Sequence, residues 1–318
     1  MRPFRFIGIA ADGIVDGRRV ADTARRAESV GYSVLVLPDH LVEQLAPVPV
    51  LATVAAVTDR VRIGTFVANV DLRHPAVVAQ DFASLDVLSA GRLEIGLGAG
   101  WHRPEYAAVG LAFDPVATRV SRLGEAVAVL KGCFGAGPFS FAGRHYTVTE
   151  YDGQPKLVQQ PHPPLLIGGG GRATLTLAGQ QADIVSLAPR PMPGRPGEPA
   201  ADPASMTAAA TEEKIGWVRA AAADRFDRLE LNTYPSGGPA VVTDHARAEA
   251  QARADRMRRL TGVEISGTEV LESPHVFIGS IDGLTQKCIE LRERFGISSI
   301  MLDDIDTLAP IVERLSGR

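Results

Sequence analysis

The sequence is poor in the residues that form disulfides and bind metal ions. Only two of its 318 residues are cysteines, Cys133 and Cys288, and they lie far apart within helical patterns. The seven histidines include no His-x-His or His-x-x-x-His pair. We therefore expect neither a disulfide framework nor a metal site, and this argues against a metallohydrolase.

Long apolar runs and clusters of positive charge are also missing. No stretch reaches the roughly 20 apolar residues that span a bilayer, and Met1 to Phe4 lead into strand-like sequence without a signal-peptide pattern. The net charge is −4 and there is no basic run, so a nucleic-acid surface is not expected. These absences favour a cytoplasmic protein.

The apolar residues that are present occur in a regular rhythm. They make up 45% of the chain and are spread along its length, which favours one core and a single domain over residues 1–318. Short β-branched or leucine-rich runs alternate with helical patterns, about thirty residues apart in the first third of the chain. The predicted strands are Phe4–Ala11, Ser33–Leu37, Val61–Val67, Leu93–Leu97, Leu165–Ile167, Ile184–Leu187, Leu229–Asn232 and Ser299–Leu302.

Eight strands separated by helices predict an α/β fold of the (β/α)8 TIM-barrel class, with insertions after strands four, six and seven. A doubly wound open sheet is the alternative. The first insertion, Gly135 to Pro164, contains an alternating segment that predicts a small hairpin. The second, 189–203, holds six prolines, which disfavour regular structure. These two insertions contain the residues expected to select the substrate.

A run of four glycines follows the fifth predicted strand and precedes a helical pattern. Glycine lets backbone N–H groups approach a ligand closely, and a helix N-terminus favours negative charge. We therefore predict a phosphate-binding turn, although a simple strand-to-helix turn would have the same composition. A dinucleotide fingerprint is rejected because the loop lies in mid-chain and Asp183 opens the next strand. The residues of the turn are Gly168, Gly169, Gly170, Gly171 and Arg172.

Polar residues and glycines follow the ends of the other predicted strands too. In a barrel of this kind catalytic residues gather at the carboxyl ends of the strands, so we expect them at one rim. These strand-end residues are Asp12, Asp39, His40, Phe66 to Asn69, Gly98 to Trp101, Ser186, Asn232, Tyr234, Asp303 and Asp304.

Several ordered motifs covering most of the chain resemble those of the luciferase-like monooxygenase superfamily. The matching segments are Val36–His40, Arg62–Val67, Arg73–Ala76, Leu85–Arg92, Gly96–Trp101 with Glu105, Gln160–Pro164 and Ile278–Ser280. The resemblance implies a flavin or deazaflavin oxidoreductase built on a barrel. The Asp39-His40 pair looks like the branch that uses coenzyme F420, a 5-deazaflavin, with FMN as the alternative cofactor.

The resemblance also implies positions for the cofactor. Asp39 and His40 would lie beside the deazaflavin ring, and Asn69 and Gly100 would line the same pocket. Two segments complete the implied site, a bulge at Phe66 and Val67 that backs the ring and in relatives often contains a cis peptide bond, and the Gly168 to Arg172 turn that receives the phosphate. Arg172, Arg190 and Arg195 are candidates for binding the anionic tail of the cofactor, or are simply exposed.

His40 is the candidate catalytic acid or base, because histidine changes charge near neutral pH and the neighbouring Asp39 could fix its tautomer. The alternative is that His40 only packs against the ring. Trp101 is expected to be a wall of the substrate pocket or part of the core, and Glu105 to contact substrate or solvate a loop. Sugar-phosphate dehydrogenases of the family have a glutamate at the position of Trp101, which argues against sugar-6-phosphate oxidation.

The leading hypothesis is an F420-dependent oxidoreductase that transfers hydride between the deazaflavin and a small organic substrate. The first alternative is an FMN monooxygenase, for which a separate reductase would supply reduced flavin. A non-catalytic flavin-binding barrel is the alternative from another class. Exposed helices of such barrels would allow a homodimer.

Overall fold

Eight parallel strands close into a barrel in the computed structural model, which describes residues 1–11, 13, 16–192 and 201–318. The strands are β1 Arg5–Ile9, β2 Val34–Leu37, β3 Arg62–Thr65, β4 Ala68–Asn69, β5 Leu93–Gly98, β6 Phe139–Ala142, β7 Thr147–Tyr151, β8 Leu165–Gly169, β9 Ile184–Leu187, β10 Glu230–Thr233, β11 Val241–Val242, β12 Ile278–Gly279 and β13 Ile297–Met301. The α-helices are α1 Gly17–Val30, α2 Pro47–Val57, α3 Pro75–Leu88, α4 Arg103–Ala108, α5 Val116–Cys133, α6 Arg172–Gln181, α7 Ala208–Ala222, α8 Ala246–Thr261, α9 Gly267–Glu272, α10 Ile281–Phe295 and α11 Ala309–Leu315.

The pairing of β3 with β5 closes the sheet. The parallel strands follow the order β3-β2-β1-β13-β10-β9-β8-β5, and β3 and β5 pair in parallel as well, through Ile63 opposite Leu93 and Gly64 opposite Glu94. A closed ring of eight strands confirms the predicted (β/α)8 barrel. The alternative of a doubly wound open sheet is wrong, because such a sheet has two free edges.

All eight predicted strands are present, and their ends differ from the predictions by a few residues. The boundary difference that matters most for the site is at β8, which continues through Gly168 and Gly169 rather than ending at Ile167. Both glycines pair with β9, where they lie opposite Ser186 and Leu187. The turn before α6 is therefore shorter than the run of four glycines suggests.

The insertions lie where they are predicted. The segment after β5 contains α4 and α5 and then the antiparallel hairpin β6–β7. The segment after β9 contains a short 3-10 helix over Pro203–Ser205, and residues 193–200 of the proline-rich loop lie outside the described residues. After β10, the parallel pair β11–β12 encloses α8 and α9.

The core lies mainly between the barrel and its helices. In α1, for example, the residues at helical spacing, Val20, Ala24, Ala27 and Val30, are buried, and the helix ends at Gly31 in the left-handed conformation. Apolar side chains of β1, β2 and β13 form a separate cluster that also includes Phe66 and Tyr234 near the carboxyl ends of the strands. Within the described residues, no helix is both long and apolar enough to cross a membrane.

Candidate active site at the carboxyl ends of the strands

Asp39 and His40 follow β2, and their side chains have different partners. Asp39 is 6% exposed and its Oδ2 accepts hydrogen bonds from the Asn69 amide at 3.1 Å and from Arg73 Nη2 at 2.5 Å. Adjacent residues of an extended chain point to opposite sides, which explains the separation. The hypothesis that Asp39 fixes the tautomer of His40 is therefore wrong.

Glu105 of α4 is the residue that pairs with His40. Its two carboxylate oxygens lie 3.1 and 3.2 Å from His40 Nδ1, and Oε2 also accepts the Leu41 amide hydrogen bond at 2.9 Å. The Glu105 side chain is only 1% exposed, whereas that of His40 is 22% exposed. Glu105 thus lies behind the histidine, and its predicted contact with substrate stays a prediction.

The aromatic rings of Trp101 and His102 lie beside the His40 ring. The Trp101 ring lies edge-on at 5.5 Å and the His102 ring at 5.9 Å, and Trp101 and His102 are 5.2 Å apart. Trp101 is 45% exposed, so it is not a core residue. Its position beside His40 favours the interpretation that it forms a wall of the substrate pocket.

Asn69 presents a buried donor that has no partner within the described residues. Its Oδ1 accepts the Asp71 amide hydrogen bond at 3.1 Å and lies 3.1 Å from the Tyr106 hydroxyl, so Nδ2 is the free end. Tyr106 is fully buried and also donates to Asp71 Oδ2 at 2.8 Å. Burial raises the pKa of Tyr106, which keeps its hydroxyl protonated as a donor. A buried, unpaired amide is a natural partner for a ligand oxygen.

The Phe66–Val67 peptide bond is cis and lies between β3 and β4. Phe66 contacts the Tyr234 ring edge-on, with the ring centres 5.4 Å apart. Val67 fills space left by glycines, since a Cβ at Gly98 would lie 2.5 Å from Val67 Cγ2 and one at Gly168 would lie 3.7 Å from Cγ1. Val67 therefore lies close to β8, the strand that leads into the glycine turn.

The glycine turn ends at Gly171, the N-cap of α6. Among the described residues, no side chain caps this helix, and apart from the chain neighbours of Gly171 no atom lies within 4 Å of where its Cβ would be; Arg172 in the first turn is exposed. Gly170 packs against the chain after β9, where a Cβ would lie 2.6 Å from the Ala188 carbonyl oxygen. Free first-turn amides and open space give this turn the properties of an anion site.

Comparison with known proteins decides the family. The family model described as luciferase-like monooxygenase matches residues 4–266. The chain belongs to this family. Among curated relatives of the luciferase-like chain, the F420-dependent glucose-6-phosphate dehydrogenase of Kineococcus radiotolerans is 36% identical over 176 residues, which are 52% of this chain and 50% of that protein. The FMNH(2)-dependent dimethylsulfone monooxygenase of Pseudomonas putida is 33% identical over 109 residues, 34% of this chain and 30% of that protein.

Solved structures share the luciferase-like fold over nearly the whole chain. The coenzyme F420-dependent tetrahydromethanopterin reductase of Methanopyrus kandleri has a TM-score of 0.75 at 18% identity, covering 99% of both chains. An F420-dependent secondary alcohol dehydrogenase has a TM-score of 0.73 at 20% identity, covering 99% of this chain and 98% of its own. These likenesses support the barrel assignment. By contrast, the matched region spans only about half the length of the first curated relatives.

The contacts of several residues near the luciferase-like site cannot be predicted from sequence patterns. Arg73, which pairs with Asp39, precedes an ordinary helix start, and Tyr106 resembles any aromatic residue of a helix. Lys214 of α7 is 2% exposed and donates from Nζ to the carbonyl oxygens of Ala188 at 2.7 Å and Ser205 at 2.6 Å. Burial lowers its pKa to about 8. From sequence, the one available signal is that polar residues near the carboxyl ends of the strands should find partners there; it does not say which residues these are.

The predicted arginines differ in their surroundings. Arg172 lies at the glycine turn, whereas Arg190 is exposed and pairs with Asp202 at 3.3 Å. Arg195 and Asp12 lie outside the described residues. The roles assigned to Asp39, His40, Phe66, Val67, Asn69, Gly100, Trp101 and the glycine turn stay predictions, now with a common location at the ends of neighbouring barrel strands.

Proposed function

We propose that this chain is an F420-dependent oxidoreductase that transfers hydride between the deazaflavin and a small organic substrate. The observation that carries the proposal is a partly exposed histidine, paired with a buried glutamate, at the same barrel rim as a glycine turn with open space for an anion. Relatives named as F420-dependent dehydrogenases, at 31 to 36% identity, support the choice of cofactor.

The residues present fit such a cofactor. The uncapped first turn of α6 would hold its phosphate, with Arg172 nearby, and the unpaired Asn69 Nδ2 would donate to a ring oxygen. The bulge of Phe66 and Val67 would support the ring. When bound, a 5-deazaflavin supplies a hydride donor or acceptor at C5, and the protein contributes orientation and electrostatics.

The proton that accompanies hydride transfer is assigned to His40. Its side-chain hydrogen bonds among the described residues involve Nδ1 only, which leaves Nε2 available to a ligand. Nε2 would take a proton from the substrate when the substrate loses hydride, or give one when the substrate gains hydride. Trp101 would shield this reaction from water and shape the pocket.

An FMN-dependent monooxygenase is the second candidate, favoured by the relative that uses reduced FMN. The two functions differ in which cofactor binds and in whether oxygen is consumed. Fluorescence titration with F420 and with FMN, followed by an oxygen-electrode assay, separates them. We expect F420 to bind more tightly and turnover to proceed without oxygen. Preferential binding of FMN with oxygen uptake would replace the first proposal with the second.

The glycine turn gives the first variant test. Replacement of Arg172 by alanine should raise the Kd for F420 about 10-fold, the effect of losing a charge-assisted hydrogen bond of about 1.4 kcal/mol. Arg60→Ala is the matched control, because Arg60 is exposed and precedes β3 at the opposite end of the barrel. Equal Kd values for the two variants would exclude Arg172 from the binding site.

A further inference from the structure

We propose that Glu105 is a positioning residue that fixes the tautomer of His40, with its proton on Nδ1 and its lone pair on Nε2. The inference rests on the proposed function for its catalytic meaning, but the tautomer itself is a property of the protein without cofactor. In this role Glu105 acts through His40 and not through direct contact with the substrate.

The geometry around Nδ1 leaves one arrangement of protons. An ionised carboxylate only accepts hydrogen bonds, and both Glu105 oxygens lie within 3.2 Å of His40 Nδ1. The Leu41 amide donates to Oε2 at 2.9 Å, so this carboxylate already serves one donor and faces Nδ1 as the second. Nδ1 must therefore carry the proton, and in the neutral ring Nε2 is left as the acceptor.

The surroundings of Glu105 keep this pair in place. The side chain of Glu105 is 1% exposed, and within the described residues its ion-pair contact is with His40. The next residue, Tyr106, is buried, and its hydroxyl donates a hydrogen bond to Asp71 and lies near Asn69. Two adjacent side chains of α4 therefore have buried polar partners. The carboxylate is thus positioned by a helix whose own location is fixed by buried contacts.

Gly100 explains how α4 comes so close to the ends of β4 and β5. Its φ is +71°, and a Cβ there would overlap the Tyr106 hydroxyl. Arg119 donates to the Ala99 carbonyl oxygen at 2.9 Å and also to that of Gly100, which holds the chain between β5 and α4. The motif from Gly96 to Glu105 thereby places a carboxylate behind His40.

Nitrogen NMR of the histidine rings tests the inference in the cofactor-free protein. His40 is one of seven histidines and is assigned by the signal lost in His40→Asn. We expect the neutral ring to show a protonated Nδ1 and an unprotonated Nε2. A proton on Nε2 in the wild-type protein would overturn the inference without any variant of Glu105.

Glu105→Gln then tests whether Glu105 is what fixes the tautomer of His40. A glutamine offers one acceptor oxygen, which the Leu41 amide would use, so its NH2 group would face Nδ1 and move the ring proton to Nε2. Glu28→Gln is the control, because Glu28 also accepts backbone amide hydrogen bonds, from Asp59, Arg60 and Val61, but does not contact a described histidine. An unchanged His40 tautomer in Glu105→Gln would refute the assigned role.

Turnover provides a second readout that separates positioning from binding. With F420 and a competent substrate, Glu105→Gln should lower kcat about 100-fold, within the range of a lost acid–base contribution, and leave the Kd for F420 close to that of the wild type. A merely structural role would change affinity and thermal stability along with kcat. If the wild-type protein does not bind F420, the proposed function fails, while the NMR result still decides the tautomer.

Discussion

At the scale of single residues, Gly100 and Tyr106 show how one missing side chain determines the geometry of the site. The Tyr106 hydroxyl occupies the space that a Cβ of residue 100 would fill, and it lies within hydrogen-bonding distance of Asn69 and Asp71. The positive φ of Gly100 independently favours glycine. Two physical requirements therefore meet at one position.

Gly100→Ala should destabilise the protein by about 2 to 4 kcal/mol, because a backbone penalty of about 1 kcal/mol adds to the steric overlap. Thermal or urea unfolding measures the change. The control is Gly110→Ala, since Gly110 has nearly the same φ of +72° but open space around its Cβ position. The double variant Gly100→Ala/Tyr106→Phe should recover part of the loss. Equal destabilisation in Gly100→Ala and Gly110→Ala would show that the overlap does not matter.

Sequence reasoning identifies which residue types the site contains but not which of them meet. His40 and Asn69 are predicted because they follow strands, whose carboxyl ends share one rim. The pairing of His40 with Glu105 joins positions 65 apart in sequence, and no periodicity relates them. Asp39 is the nearer carboxylate in sequence and is the wrong partner, because neighbouring side chains of an extended segment diverge.

At the scale of secondary-structure elements, the long repeated units are predictable and the short ones are not. The eight barrel strands are largely buried, so most of their apolar runs are recognisable. The two-residue strands β4, β11 and β12 and the six-residue helices α4 and α9 have no measurable period. Of these short elements, β4 and α4 carry Asn69 and Glu105, respectively.

Lys214 connects two elements near the glycine turn, since α7 reaches the chain leaving β9 through it. Lys214→Met should destabilise the protein by about 2 to 4 kcal/mol, because the buried carbonyl oxygen of Ser205 and the partly buried one of Ala188 lose their donor. It should also weaken F420 binding, because Gly170 packs against the Ala188 carbonyl. Urea unfolding and fluorescence titration measure the two effects.

Lys131→Met is the control for this variant. Lys131 also donates to a backbone carbonyl oxygen, that of Gln181 at 3.0 Å, but does so at an exposed site away from the glycine turn. We expect its loss to cost less than about 1 kcal/mol, as for other exposed polar contacts. If Lys131→Met proves as destabilising as Lys214→Met, the buried contacts of Lys214 have no special importance for the fold.

At the scale of the whole molecule, a buried histidine links folding stability to pH. His275 is fully buried, with Nδ1 3.1 Å from Ser236 Oγ, and it lies near Tyr234 at the end of β10. Burial, assisted by the positive charge of Lys214, lowers the pKa of His275 from 6.5 to about 3. The folded protein therefore keeps this ring neutral at pH values where the unfolded chain protonates it.

The sign of the pH dependence follows from the protons bound in each state. Between pH 6.5 and about 3 the unfolded chain binds one more proton at His275 than the folded protein does, so the free energy of unfolding falls as the pH falls. The slope is about 1.4 kcal/mol per pH unit once the pH is well below 6.5. Well above pH 6.5 the ring is neutral in both the folded and the unfolded state, so His275 no longer makes the free energy of unfolding depend on pH.

Urea unfolding at several pH values tests this for wild type and His275→Gln. We expect the variant to be less stable than wild type near pH 7 but to lack the titration of His275, so the wild-type curve should move towards it by about 1.4 kcal/mol for each unit below pH 6. His245→Gln, at an exposed residue, should run parallel to wild type. Because acidic groups affect wild type and variants alike, only the difference between curves reports on His275. Parallel curves for wild type and His275→Gln would mean that His275 titrates alike in the folded and unfolded states.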